Sequence, residues 1–235
     1  MPGLVTDARC YRSTKRGCRL STRRKLRDTI MVDSFLHELF DKPQLNARLR
    51  WFNEPEKWVV DTSARCLTIQ PEEGTDFWQR THYGFQADNG HFLFASLSGD
   101  FVVTTHVTFH PAHQYDQAGL MVRLSPSCWL KTSVEFEPEG PNRLGAVVTN
   151  GGYSDWSTQD FPGDRSDIWL RIRRESGDYL VEASNEGHNW HQLRLARLHG
   201  DQGGAAVPCG VYACSPKGPG FVAQFNSLAM DLGRL

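Results

Sequence analysis

The sequence predicts an all-β fold of the sandwich or barrel kind. Three observations predict it: two-residue alternation along several runs, short polar turn clusters between them, and a high aromatic content. Phe101, Val103, Thr105, Val107 and Phe109 alternate with Val102, Thr104, His106, Thr108 and His110. Ile168, Leu170 and Ile172 alternate with Trp169, Arg171 and Arg173, and Val181 and Ala183 with Glu182 and Ser184. Leu193, Leu195 and Arg197 continue the rhythm. A strand turns successive side chains to opposite faces, so this period is that of half-buried strands. The runs are parted by Ser98-Gly99-Asp100, Glu139-Gly140-Pro141-Asn142, Ser176-Gly177-Asp178 and Asn185-Glu186-Gly187. The last two have the composition of hairpin turns. Thirteen Phe, seven Trp and six Tyr suit pleated surfaces.

A chain of 235 residues accommodates one all-β domain or two small ones, and is long enough that its core needs no disulfide or metal. Charge is unevenly spread. Residues 1–30 carry nine Lys/Arg and two acids, leaving 17 basic and 25 acidic residues in the rest. Without periodicity, residues 1–30 read as a basic disordered extension. The acidic body argues against nucleic acid as a partner, because phosphate recognition needs a basic face. No apolar run has the length of a membrane span, and the N-terminus lacks the apolar middle of a secretory signal. The six Cys (Cys10, Cys18, Cys66, Cys128, Cys209, Cys214) include no C-x-x-C pair. Cys209 and Cys214 would face opposite ways on a strand. This usage suits free, buried thiols in a reducing compartment.

Residues 31–48 read as a short helical lead-in. Phe35, Leu36, Leu39 and Phe40 of SFLHELF share a helical face, and Pro43 ends it. From residue 49 to 235 the strand pattern runs without a linker or an internal repeat.

Chemistry-bearing residues concentrate in Thr75–Phe85, Tyr115–Arg123 and Tyr153–Ser157. Trp, Tyr, Asp, Gln and Arg from such segments, brought to one surface, would offer apolar ring faces with a few planar hydrogen-bonding groups, as small-molecule and sugar sites do. Aromatics also fill β-sandwich cores, and Arg–Asp pairs also hold loops. Glu135, Glu137 and Glu139 recur with period 2, at roughly 6.6 Å per step. That approaches the roughly 5–5.5 Å carboxyl spacing of retaining glycoside hydrolysis. Pro138 and the turn at Gly140-Pro141-Asn142 place Glu137 and Glu139 at a solvated strand end. His106 and His110 share a face but lie about 13 Å apart along a strand, too far to share a metal. No metal and no cofactor are expected, and there is no Walker loop, nucleophile elbow or dinucleotide fingerprint.

The strings TDFWQRTHYGF (75–85), DNGHF (88–92), YDQAGLMVR (115–123), WLKTSVEF (129–136), YSDWS (153–157) and YACSPKGPGF (212–221) resemble the regulation-of-enolase family of concanavalin A-like domains. The likeness runs in order from Trp51 to Leu228. It implies a two-sheet antiparallel jelly-roll sandwich with one concave face, in a mostly cytoplasmic protein with no settled enzymatic activity. Within the shared strings the polar positions are Asp76, Arg80, His82, Gln117, Lys131, Glu135, Ser154 and Asp155. Trp78, Tyr153 and Trp156 are the stacking candidates. On the strand Trp129–Phe136, Lys131 and Glu135 face one way and Leu130, Val134 and Phe136 the other. Three functions follow as expectations. The first is a non-catalytic module holding a carbohydrate or sugar-like metabolite. The second is a carbohydrate-active enzyme using Glu135 with a second carboxylate, such as Asp76 or Asp155. The third is a protein-interaction module acting on a metabolic enzyme such as enolase.

Overall fold

The computed structural model describes residues 33–233; the basic extension expected at residues 1–30 lies outside them. Among the described residues there are seventeen strands and no helix, hence no helix long and apolar enough to cross a membrane.

Two large antiparallel sheets form a sandwich. In the first, the order is β15 (His191–Arg197), β14 (Asp178–Ser184), β13 (Asp167–Glu175), β8 (Phe101–His110), β17 (Val222–Leu232), β4 (Cys66–Gln70) and β3 (Lys57–Asp61). Strand β1 (Asp33–Glu38) also pairs with β17. In the second, the order is β12 (Tyr153–Phe161), β11 (Asn142–Asn150), β10 (Cys128–Glu135), β9 (Gln117–Ser125), β16 (Val207–Cys214), β7 (His91–Leu97) and β2 (Arg50–Phe52). A separate hairpin, β5 (Phe77–Gln79) with β6 (Gln86–Asp88), completes the set.

The core lies between the two large sheets. The alternation in β8 and β13 delivers Phe101, Val103, Val107, Phe109, Ile168, Leu170 and Ile172 to it. The second sheet answers with Leu120, Val122, Leu130, Val134, Val148 and Val211. Ser176 and Gly177 close β13 onto β14, both with positive φ (53° and 86°), the backbone that a two-residue hairpin turn demands. The rhythm in β15 is not a core stripe. Leu195 is 67% exposed, on an edge strand whose pairing register shifts between Val181 and Glu182.

The helical lead-in at residues 31–48 is corrected. Residues 33–38 form β1, paired with the end of β17. Leu36 and Phe40 enter the core and Leu39 is exposed. A helix of about seven residues pays a nucleation cost with few bonds in return, whereas β17 offers a whole row of partners. Over so short an apolar run the two periods cannot be told apart.

Cys209 and Cys214 project to opposite faces of β16, as a strand requires. Cys209 enters the inter-sheet core and Cys214 a second apolar cluster on the far side. Burial pushes both thiols up from the usual range, so neither is poised to react. Cys66 and Cys128 are also free and buried.

Close backbone approach requires glycine at Gly119, Gly145 and Gly210 of the second sheet. A Cβ on Gly119 would lie 2.0 Å from the Thr132 carbonyl oxygen and 2.9 Å from Leu170 Cδ1. Gly119→Ala is therefore expected to destabilise the domain by about 1–3 kcal/mol. Urea unfolding would read this as a lower midpoint with an unchanged slope.

Candidate functional site

The face of the second sheet that turns away from the core is where the polar residues gather. Register builds it row by row. Trp156 pairs with Val147, Val147 with Lys131, Lys131 with Met121, Met121 with Gly210 and Gly210 with Phe94. A second row sets Glu135 opposite Gln117 and Gln117 opposite Cys214. Lys131 and Glu135 thus share a face, as the strand period implies.

The β5–β6 hairpin folds over this face. Phe77 is fully buried there, with its ring 6.2 Å from both Trp129 and Tyr212. Hydrogen bonds fasten the hairpin on several sides. The Gln79 amide donates to Ser154 Oγ at 2.9 Å, and Arg80 donates to the Gly152 carbonyl at 3.2 Å. Arg123 makes a two-pronged pair with Asp88, at 2.6 and 3.3 Å. The tip carries Tyr83 and Phe85, both exposed and packed on Trp78 at 5.5 and 6.4 Å between centroids.

Between hairpin and sheet lies a cleft of about 270 Å³, lined by Asp76, Trp78, Tyr83, Phe85, Tyr115, Lys131, Glu135, Val147, Trp156 and Lys217. It lies near the small end of the roughly 300–1,000 Å³ range of ligand pockets. Its floor is a connected polar chain. Lys131 is 3% exposed; its Nζ donates to Gln117 Oε1 at 2.9 Å and to Asp76 Oδ1 at 3.3 Å. Gln117 Nε2 donates to Glu135 Oε2 at 3.1 Å and to the Tyr115 carbonyl at 3.1 Å. Tyr212 donates to Gln117 Oε1 at 3.1 Å. Asp76 is itself oriented by the Phe77 amide, at 2.7 Å. Such full pairing is what makes a buried polar group tolerable.

Glu135 receives an amide hydrogen bond but no direct cation. Burial pushes its carboxyl up to about 8; Lys131 opposes the shift, and the charges of Asp76 and Glu137 add to it. The shift favours the protonated, hydrogen-bond-donating form of this carboxyl near neutral pH. Tyr115 is also raised, first by burial and then by Glu137, and Lys217 Nζ sits 5.5 Å from the centre of its ring. Tyr115 (φ 72°), Arg80 (φ 54°) and His82 (φ 63°) all hold left-handed backbone without being glycine. Such strain collects where a structure must present a side chain in one orientation.

Of the residues singled out in the sequence, Asp76, Trp78, Lys131, Glu135 and Trp156 line this cleft, and Gln117 lies beneath it, 2% exposed. His82, Tyr153, Ser154 and Asp155 line a neighbouring depression. Ser154 Oγ is occupied by the Gln79 amide and by Thr149. Asp155 pairs with Arg194 of the other sheet at 3.1 Å. Arg80 joins neither hollow; it braces the hairpin, over the Tyr153 ring. Glu137 accepts from Gln114 at 2.8 Å, and Glu139 is exposed. His106 pairs with Asp167 and stacks on Trp169.

Tyr83, Phe85, Tyr115 and Lys217 line the cleft without having been singled out. All four lie inside the strings quoted above. Periodicity cannot rank aromatics within a turn, and Lys217 arrives from a loop far along the chain.

A family model described as "Protein of unknown function (DUF1349)" matches residues 51–232. Over 186 residues the chain is 36% identical to Regulation of enolase protein 1 of Saccharomyces cerevisiae, covering 78% of this chain and 90% of that protein. The crystal structure of a functionally unknown protein from Saccharomyces cerevisiae superposes with a TM-score of 0.72 at 33% identity, over 80% of this chain and 98% of that one. The GH43 BlXynB protein from Bacillus licheniformis superposes with a TM-score of 0.65 at 16% identity, over 83% of this chain and 38% of that one. That last likeness is one of fold alone. On the match across residues 51–232 and the identity to the yeast relative, the chain belongs to the family described as Protein of unknown function (DUF1349).

Proposed function

We propose that this protein is a non-catalytic binding module that holds a carbohydrate or sugar-like metabolite in the cleft between the β5–β6 hairpin and the second sheet. The observation that carries the reading is the pairing of an aromatic wall with a polar floor in one small hollow. Trp78, Tyr83, Phe85 and Trp156 present ring faces, while Asp76, Lys131 and Glu135 present acceptors and donors. Sugars have both kinds of surface, C–H faces that stack and hydroxyls that hydrogen-bond. Gln117 holds Lys131 and Glu135 in place from below, so the floor is set before a ligand arrives, which lowers the ordering cost of binding. Calorimetric titration with mono- and disaccharides and sugar acids tests it. Tyr83→Ala and Glu135→Gln, each removing one contact, are expected to weaken binding about tenfold. A panel in which no sugar binds, or binding untouched by either change, contradicts the reading.

The raised Glu135 carboxyl supports a second reading. A protonated acid beside a second carboxylate, here Asp76, suits proton donation to a glycosidic oxygen. Release of nitrophenol from aryl glycosides by the native protein but not by Glu135→Gln would favour catalysis over binding alone. A protein partner is supported by the name of the yeast relative and by the exposure of Tyr83, Phe85 and Tyr153 around the hairpin.

A further inference from the structure

We infer that the ligand is an oligosaccharide whose terminal ring enters the first cleft while the next ring lies in the neighbouring depression, between the hairpin tip and β12. The inference rests on the sugar-binding reading of the first cleft. The neighbouring depression measures about 380 Å³, and it shares Trp78, Tyr83 and Trp156 with the first. Three aromatic side chains therefore stand at the junction of two hollows, where consecutive rings of a chain would meet them. A sugar ring stacked on such side chains buries its apolar C–H face, at roughly 25 cal/mol per Å² removed from water.

The two hollows differ in depth and chemistry, which gives the chain a direction. The floor of the first is closed: Lys131 is 3% exposed and the Glu135 carboxyl has no direct cation. It has no continuation through the sheet, because Gln117 and Tyr212 fill the space beneath. The second is lined at its outer side by His82 and Asp155, both exposed. Asp155 gives one carboxylate oxygen to Arg194 at 3.1 Å. His82 is presented by a left-handed backbone (φ 63°), with its ring edge-on to Tyr83 at 4.8 Å. A ring seated in the first hollow thus meets a closed floor below and the second hollow alongside, across the shared Trp78, Tyr83 and Trp156. A single sugar unit reaches the polar groups of one hollow; a chain reaches both.

The test is calorimetric titration of the full chain with matched mono-, di- and trisaccharides of glucose, galactose, mannose and xylose. For at least one backbone, the di- or trisaccharide is expected to bind about tenfold or more tightly than its monosaccharide. The double variant His82→Gly, Asp155→Ala, which removes the polar groups of the second hollow but keeps its aromatic side chains, should lower that ratio several-fold. Glycine accepts the left-handed backbone at position 82 without strain, and a melting temperature near that of the native protein checks the fold. Equal affinity for one ring and for chains overturns this inference and leaves the single-cleft reading standing. A ratio that survives the double variant also overturns it. Absence of binding at every length overturns both.

Discussion

Arg174→Met is expected to cost about 3–5 kcal/mol of folding stability. At about 2–4 °C per kcal/mol for a domain of this size, the melting temperature should fall by roughly 10 °C. Arg174 and Asp201 have fully buried side chains. Arg174 grips the carboxylate with two bonds, of 2.7 and 2.5 Å, and Tyr179 adds a third at 2.5 Å. A further guanidinium bond, to the Gly99 carbonyl at 2.5 Å, ties in the β7–β8 turn. Methionine keeps the packing near Phe101 but strands the Asp201 charge in the interior. Burial alone would raise the Asp201 carboxyl; the bonds from Arg174 and Tyr179 override it and bring it down to about 2. Its unfolded value is about 3.9, so this contribution is present above about pH 4 and is lost as pH falls through about 2. Adding Asp201→Asn to Arg174→Met should recover part of the loss, because the stranded charge is gone. A double variant as unstable as the sum of the two single changes would show that no coupling exists.

Glu135→Gln should change how stability depends on pH. The unfolded chain releases the Glu135 proton near pH 4.5, while the folded protein holds it to about 8. Between these values the folded state carries the extra proton, so native stability falls as pH rises. The expected fall is a few kcal/mol in order of magnitude, set by burial against Lys131 on the same strand and by the charges of Asp76 and Glu137 nearby. Glutamine keeps an acceptor for Gln117 and carries no proton to lose. The variant should therefore lose less stability than the native protein over this window and be the more stable of the two at pH 9. Urea unfolding at pH 5, 7 and 9 checks this, and parallel pH profiles for the two proteins would contradict it.

The strand architecture was legible because β8 and β13 alternate cleanly, and Ser176-Gly177 marked its hairpin by turn chemistry. The shared face of Lys131 and Glu135 followed from the same period. Which strand lies opposite Glu135 did not, because register and strand order are set by contacts distant in sequence. Gln117 could thus be named as a candidate but not as the bridge between Lys131 and Glu135. Arg80 and Asp155 were named as polar positions inside the shared strings; in the structure Arg80 braces the hairpin at Gly152, and Asp155 lines the neighbouring hollow while pairing with Arg194. The strand at residues 33–38 was hidden for a similar reason, since its partner β17 lies far away in the sequence.

The most direct measurement of the central claim is a crystal structure of the protein with the saccharide that most raises its melting temperature. The account predicts a sugar ring between Trp156 and the Trp78–Tyr83–Phe85 wall, with a hydroxyl within hydrogen-bond distance of Asp76 or Glu135. A sugar seated on another surface with this cleft filled only by water, or no saccharide that shifts the melting temperature, would contradict it.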